Sequence, residues 1–503
     1  MKIGLSYQQK VGVALSYLSV LVKIGTGLLY TPIMLKMLGE SEYGIYSLCN
    51  SFMGYLTILN AGMNAAYIRF YVQTKVTEKE KLSRLNGTFL EIFAVISIIS
   101  LVVGGWIAGN AEVVFGQKIT AEEYEIIKTL FLLMTVNSAC VILNCVFDSI
   151  VVANERFIFG KTIGIVGTAG VPIITVPLLL NGSGSREVAA VTLAVNGCIL
   201  LINLFFCIRI LGVHFEFGKD WRLVKGIFIF SSFIVIQSVM DQLNWQIDKF
   251  LLARFSGSAE IAVYTVGSQI NSIYITIASA VTVVFIAQIN RLTAQGKEKE
   301  LSELFVNVSR LLCMVVMYVM TAYLIFGKAF IQLWAGEGYE MAFYVGVFLM
   351  LPVTVSLTQG LGQDIMRAKN IHKEQILINI TVCILNLFIS IPLCKKYGAI
   401  GGAGGTFIGE VVICVVIQYI YYEKVGKLDM KGYLREMKRI FPAFILPVTA
   451  GIVLKSVWEI KNFVDLMGAG GIYTFIYGCS LFMIGMNQEE RNAVLTAIRK
   501  VRR

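Results

Sequence analysis

Histidine and charge are both scarce in this chain. Of its 503 residues only His214 and His372 carry an imidazole, and Asp, Glu, Lys and Arg together make up 15%. Two histidines argue against an imidazole-based metal site, so no metal is expected. The ten cysteines form no C-x-x-C pair and lie in or beside apolar runs, which marks them as small core residues rather than staples. Long polar stretches are missing as well. The longest outward connection, near 109–123, is too short for an extramembrane catalytic domain, so the chain is not expected to be an enzyme. Nucleotide motifs are absent: Gly398-Ala-Ile-Gly-Gly-Ala-Gly-Gly405 fits neither G-x-x-x-x-G-K-[ST] nor G-x-G-x-x-G. Its Gly401-x-x-x-Gly405 spacing points to close helix packing instead.

Apolar residues fill the space that charge leaves. They account for 56% of the chain, with a mean hydropathy of +0.73, far above an ordinary soluble domain. A helix needs roughly 20 mostly apolar residues to cross a bilayer, because hydrocarbon satisfies no backbone N–H or C=O group. That length recurs at about 11–36, 43–70, 85–108, 124–152, 158–180, 187–211, 226–253, 260–288, 304–333, 340–367, 374–394, 398–422, 438–458 and 463–486. The fold class is therefore all-α, a polytopic membrane protein of about fourteen transmembrane helices. The stretch from Met1 to about Leu38 is too long for a cleaved signal and is expected to remain as the first helix.

Forty-three Lys and Arg against thirty-two Asp and Glu give a net charge of +11. The bases are scattered through short loops rather than gathered on one face, so nucleic acid is not an expected partner. They collect in alternate loops, as in Lys75, Lys79, Lys81 and Arg84, or Lys424, Lys427, Lys431, Arg435, Lys438 and Arg439. This bias predicts that those loops and both termini are cytoplasmic, in a cytoplasmic membrane. The opposite connection near 109–123 is acidic, and Thr120 with Glu123 predicts a capping box at the start of the next helix.

The chain also resembles itself. Lys36-Met-Leu-Gly39-Glu-Ser-Glu42-Tyr-Gly-Ile-Tyr46 overlays Arg254-Phe-Ser-Gly257-Ser-Ala-Glu260-Ile-Ala-Val-Tyr264 at an offset of 218 residues. Two pseudo-symmetric six-helix lobes are expected, 1–215 and 220–425, followed by an additional helix pair with a basic tail, 426–503. An even number of helices per unit makes such repeats parallel, a design that places substrate at mid-membrane and works by alternating access.

Charges inside the spans are the candidate functional groups. At 1.5 Å per residue, Lys23, Asp241 and Glu410 lie about 18–22 Å into their helices, near the midplane. An Asp or Lys there costs roughly 2.5–3.5 kcal/mol, which favours a protein interior or a wet cavity over lipid. The 218-residue offset maps Ser19, Lys23, Thr26 and Tyr30 onto Gln237, Asp241, Asn244 and Asp248, so each lobe presents one polar stripe. Such stripes either hold helices together or line a cavity; two mid-depth charges favour the cavity. Arg69, Glu91, Asp148, Lys161, Arg310 and Asp364 lie nearer the cytoplasmic ends, where bases serve equally as headgroup anchors or substrate captors. Pro32, Pro172, Pro177, Pro352 and Pro392 are candidate bends.

Several segments resemble the Wzx-type polysaccharide flippases of the multidrug/oligosaccharidyl-lipid/polysaccharide exporter superfamily, relatives of MurJ-like flippases and MATE antiporters. They are Lys36-Met-Leu-Gly39 through Tyr46, Asn60-Ala-Gly62 through Arg69-Phe-Tyr71, and Asp248-Lys249 through Tyr264. Asn60 departs from the aspartate common there, so no carboxylate role is carried over to it. The resemblance implies flipping of undecaprenyl-diphosphate-linked oligosaccharide from the cytoplasmic to the outer leaflet in surface polysaccharide biosynthesis. A polysaccharide polymerase and glycosyltransferases are implied as partners. A diphosphate calls for cations, and Lys23, with Arg69, Lys161, Lys249 and Arg310, are the candidates. Asp241, Asn244, Asp248 and Glu410 would line the cavity or hold a proton or sodium counter-ion, with no other cofactor. The alternatives are a MATE-like cation or drug antiporter, which favours acidic and aromatic linings over a base such as Lys23, and a membrane enzyme acting on lipid-linked sugars.

Overall fold

Every long apolar run is a helix, as the backbone's need for internal hydrogen bonds in hydrocarbon dictates. The computed structural model describes residues 5–77, 79–116, 118–218, 220–369, 371, 373–488, 490–492, 495 and 496. His372, Asn370 and the basic tail beyond 496 lie outside the described residues, as does the side chain of Asp241. No strand occurs among the described residues, and twelve helices there are long and apolar enough to cross a membrane. The protein is a multi-pass all-α membrane protein.

The comparison with about fourteen sequence-derived spans turns on two glycines. Helix α1 (Leu5–Leu56) contains Gly39 at φ 77°, ψ 173°, a non-helical residue at which two helical segments meet. Gly398 sits in the same way near the middle of a later 39-residue helix, at φ 55°. Positive φ is cheap only for glycine, so each of these residues ends one run and starts another. The sequence-derived spans divide at the same two places.

The chain separates into two compact units, Met1–Ala262 and Val263–Arg503. The first holds α1, α2 (Leu59–Thr77), α3 (Leu82–Gly109), the short α4 (Ala111–Phe115), α5 (Ala121–Ala153), α6 (Phe157–Leu180), α7 (Ser185–Phe205) and α8 (Trp221–Phe255). Helix α5 is its axis and packs against α1, α2, α3, α6 and α7. Around it lies a core of Phe89, Phe93, Tyr67, Ile142 and Ile150. The predicted capping box opens α5: the Thr120 N–H donates to Glu123 Oε2 at 2.7 Å, and the Glu123 N–H reaches Thr120 Oγ1 at 3.4 Å. Helix α8, the first of the second sequence repeat, packs here against α1 and α2.

Helix α9 (Ser258–Thr282) begins in the first unit and continues into the second. There follow α10 (Ile286–Ala294), α11 (Glu298–Ala335), α12 (Glu340–Thr358), α13 (Gly360–Ala368), α14 (Lys373–Val411), α15 (Gln418–Lys424), α16 (Met430–Ile440), α17 (Pro442–Val457) and α18 (Phe463–Ser480). Helix α11 is the most buried span of this unit. The last helix, α18, docks on it through hydroxyls: Thr321 bonds Tyr473 at 2.7 Å, Tyr318 bonds Thr474 at 2.7 Å, and the Tyr477 hydroxyl donates to the Met314 carbonyl at 2.8 Å. Helix α14 folds back on itself at Gly398. A Cβ on Gly401 would stand 2.0 Å from the Leu393 carbonyl oxygen, and one on Gly405 would stand 2.1 Å from Ser390 Oγ. The predicted Gly401-x-x-x-Gly405 packing is thus realised inside this hairpin. Among the described residues nine cysteines stand outside any disulfide, most of them buried, with Cys198 and Cys479 exposed.

Candidate functional site

Helix α1 carries its polar stripe and its lipid-type face on different sides. Leu18, Leu21 and Leu29 are strongly exposed, as apolar residues facing hydrocarbon would be. At 100° per residue, Lys23 lies roughly 120–160° round the helix from all three. Its side chain is exposed nevertheless. The same face carries Thr26, whose hydroxyl donates to the Lys23 carbonyl at 3.0 Å, and Tyr30, whose hydroxyl accepts from Thr175 of α6 at 2.8 Å. Lys23 is therefore an accessible base on the side of its helix that does not carry the leucines.

The other bases proposed from sequence in the first unit are similarly uncommitted to carboxylates. Arg69 of α2 is exposed and stacks its guanidinium over the Phe230 ring of α8, 4.4 Å from the centroid. Lys161 is exposed on α6. Lys249, half-buried in α8, donates from Nζ to the Ser47 hydroxyl of α1 at 3.1 Å. Among the described residues no carboxylate pairs with any of these four.

Arg310 is placed differently, in the second unit. The residue is 2% exposed and its guanidinium is bound by two carboxylates. It pairs with Glu436 of α16, donates to Glu490 at 2.8 and 3.2 Å, and also reaches the Gly485 carbonyl. Two carboxylates thus compensate this cation, and four of its five N–H donors have acceptors within the protein. The arrangement brings α11, α16 and the segment after α18 to one point.

Of the ion-coupling candidates, Asp248 is wholly buried beside Lys249, and Asn244 is half-buried two turns or less away on α8. Glu410 is half-buried on α14, in the other unit. Among the described residues no group of three His, Cys, Asp or Glu side chains could hold a metal ion.

One polar constellation escaped the sequence reasoning. On α5, Asn137, Asn144 and Asp148 follow one face; on α7, Asn196 and Asn203 follow another. Asn196 Nδ2 donates to Asn137 Oδ1 at 2.7 Å. Asn203 Nδ2 donates to Asn144 Oδ1 at 2.9 Å and to Asp148 Oδ1 at 2.7 Å, while Asn144 Nδ2 donates to Asp148 Oδ2 at 2.9 Å. Both carboxylate oxygens of Asp148 thus accept from amides. The signal that would have revealed it is the shared seven-residue spacing of Asn137/Asn144 and Asn196/Asn203.

Comparison with known proteins bears on this arrangement. A family model described as "Polysaccharide biosynthesis protein" matches residues 33–343. A curated protein of Shigella flexneri, named "Putative O-antigen transporter", is 21% identical over 406 residues, covering 76% of this chain and 90% of that one. Among solved structures the chain is similar to lipid II flippase MurJ in an inward closed conformation, at TM-score 0.73 and 15% identity over 94% of this chain and 99% of that one. It is also similar to an inward-facing multidrug resistance MATE family transporter of the MOP superfamily, at TM-score 0.67 and 13% identity over 82% and 95% of the two chains. At such identities the likeness to both structures is one of fold.

Proposed function

The chain belongs to the polysaccharide biosynthesis protein family, and on that premise we propose that it flips undecaprenyl-diphosphate-linked oligosaccharide from the cytoplasmic to the outer leaflet by alternating access. The observation that carries the proposal is Lys23: a base within a membrane-spanning helix, exposed away from the leucine face and with no carboxylate partner among the described residues. Such a charge is costly in a helix that only packs, and is offset when an anionic ligand meets it in a low-dielectric site. Arg69, Lys161 and Lys249 would supply further contacts to the diphosphate and sugar as it moves. Asp248, buried in α8, is the carboxylate of the first unit best shielded to take a proton or sodium counter-ion. The polymerase and glycosyltransferases that use the same lipid-linked sugars would be its partners in surface polysaccharide biosynthesis.

The deciding experiment places the purified chain in vesicles with a labelled lipid-linked oligosaccharide and follows label reaching the opposite leaflet. Lys23→Ala should abolish that transfer while the amount of membrane-inserted protein stays the same, and Lys23→Arg should retain part of it. Transport by Lys23→Ala at the unsubstituted rate would overturn the role given to this base. A chain that moves no lipid-linked oligosaccharide at all would overturn the proposed activity.

A further inference from the structure

Helix α16, which leads directly into the apolar α17, has an outer face built from bases. Asp429 opens it, accepting the Gly432 N–H at 2.8 Å. Its inner face is buried: Tyr433 bonds the Thr358 hydroxyl at 2.7 Å and lies 5.9 Å from the Phe305 ring, and Ile440 is fully enclosed. Glu436, at the edge of that face, pairs with Arg310 of α11. Lys431, Arg435 and Lys438 fall on the opposite side within an arc of roughly 60°, and all three are exposed, as is the neighbouring Arg439. Lys424 and Lys427, just before the helix, are exposed too.

Apolar groups share this surface. Leu434 is 42% exposed between the bases, and Phe441 is 59% exposed where α16 meets Pro442, the first residue of the apolar α17. Five charged or basic side chains in eleven residues keep α16 itself out of hydrocarbon, yet it ends where a membrane-spanning helix begins. The two acidic residues of the helix and its cap are occupied: Asp429 caps the helix, and Glu436 turns inward to Arg310, with Arg439 3.8 Å away. A basic face with exposed apolar side chains at the membrane boundary is complementary to a negatively charged bilayer surface, whose phosphates meet the bases while acyl chains receive Leu434 and Phe441.

We propose that the outer face of α16 is a binding site for anionic phospholipid headgroups of the bilayer, and that the Glu436–Arg310 pair ties its occupancy to the stability of α11. A headgroup phosphate that engages Arg439 leaves Glu436 wholly to Arg310, so lipid binding tightens the internal contact. The site is independent of what the protein transports.

The test uses the full chain in zwitterionic detergent micelles, titrated with phosphatidylglycerol or with phosphatidylcholine. Retained lipid is counted by native mass spectrometry and the unfolding midpoint is followed in parallel. Phosphatidylglycerol should be retained and should raise the midpoint; phosphatidylcholine should do neither. Each base near an anionic surface is worth about fivefold in affinity, so the triple variant Lys431→Gln, Arg435→Gln, Lys438→Gln should bind about a hundredfold more weakly. Lys455→Gln with Lys461→Gln, one base in the last turn of α17 and one beyond it, should bind as the unsubstituted chain does. Glu436→Gln should keep the lipid and lose the rise in midpoint. Should the triple variant fail to fold, raising salt from about 0.1 M to about 1 M should release phosphatidylglycerol from the unsubstituted chain. Retention that is indifferent to both the triple substitution and salt would overturn the proposal, as would inorganic pyrophosphate raising the midpoint as far as phosphatidylglycerol does.

Discussion

Ser41 and Ser258, which follow the two repeat-related glycines Gly39 and Gly257, bring their hydroxyl oxygens within 3.2 Å of each other. Both donate to the same carboxylate oxygen of Glu123. That carboxylate also closes the capping box of α5 by accepting the Thr120 N–H. One acidic side chain therefore fixes the start of α5, the turn at Gly39 and the start of α9. Gly44, just beyond, makes the approach possible, since a Cβ there would lie 2.0 Å from the Ser258 carbonyl oxygen.

Glu123→Ala should accordingly cost more than an ordinary helix cap, which is worth about 1 kcal/mol. A loss of about 2 kcal/mol is expected, because two hydroxyls lose their acceptor as well. Chemical or thermal unfolding of the purified chain measures it, and Glu123→Gln should recover part of the loss.

Arg310→Ala should destabilise the second unit by about 3 kcal/mol, the range for breaking a buried pair and stranding its partners. Glu436 and Glu490 are left without their cation, and the Gly485 carbonyl without its donor. An unfolding midpoint unchanged by this substitution, combined with lost transport, would instead assign Arg310 to the substrate.

Asn203→Ala removes the donor to both Asn144 and Asp148. About 2 kcal/mol should be lost, since a carboxylate is left short of hydrogen bonds. Asn196→Ala, which removes a single amide pair, should cost less. Comparing the two unfolding midpoints tests whether the carboxylate or the number of amides sets the cost.

Gly401→Ala and Gly404→Ala differ by three positions and should differ sharply in effect. The first drives a methyl against backbone oxygen at 2.0 Å, whereas the second touches only Leu393 Cδ1 at 3.9 Å. Overpacking of the first kind costs about 1–3 kcal/mol. Yield of folded protein after detergent extraction should fall for Gly401→Ala and hold for Gly404→Ala.

The membrane-spanning helices were legible in the sequence because apolar length leaves the backbone no alternative in lipid. The break at Gly39 was legible too, since it falls between two runs that are long enough alone, and the one at Gly398 coincides with the first residue of the run 398–422. Lys23 stood out in the sequence as a base deep in an apolar run, and the structure adds its exposure on the side of the helix away from Leu18, Leu21 and Leu29. The surroundings of Arg310 were not: its partners Glu436 and Glu490 lie 126 and 180 residues away, and nothing local announces them. The Asp148 constellation was hidden for another reason, since single asparagines in apolar helices carry no signature until two helices are placed side by side.

The two amide pairs joining α5 and α7 repeat at the same interval on both helices, two turns apart. A slide of one helix along the other by a single turn would break both amide rungs at once and keep at most the single contact from Asn203 to Asp148. The pair is consequently barred from shearing and is suited to travel as one strut, so that any displacement during a transport cycle is taken up at its ends, in the loops before Ala121 and after Ala153 and at the π-helical turn Phe206–Ile210.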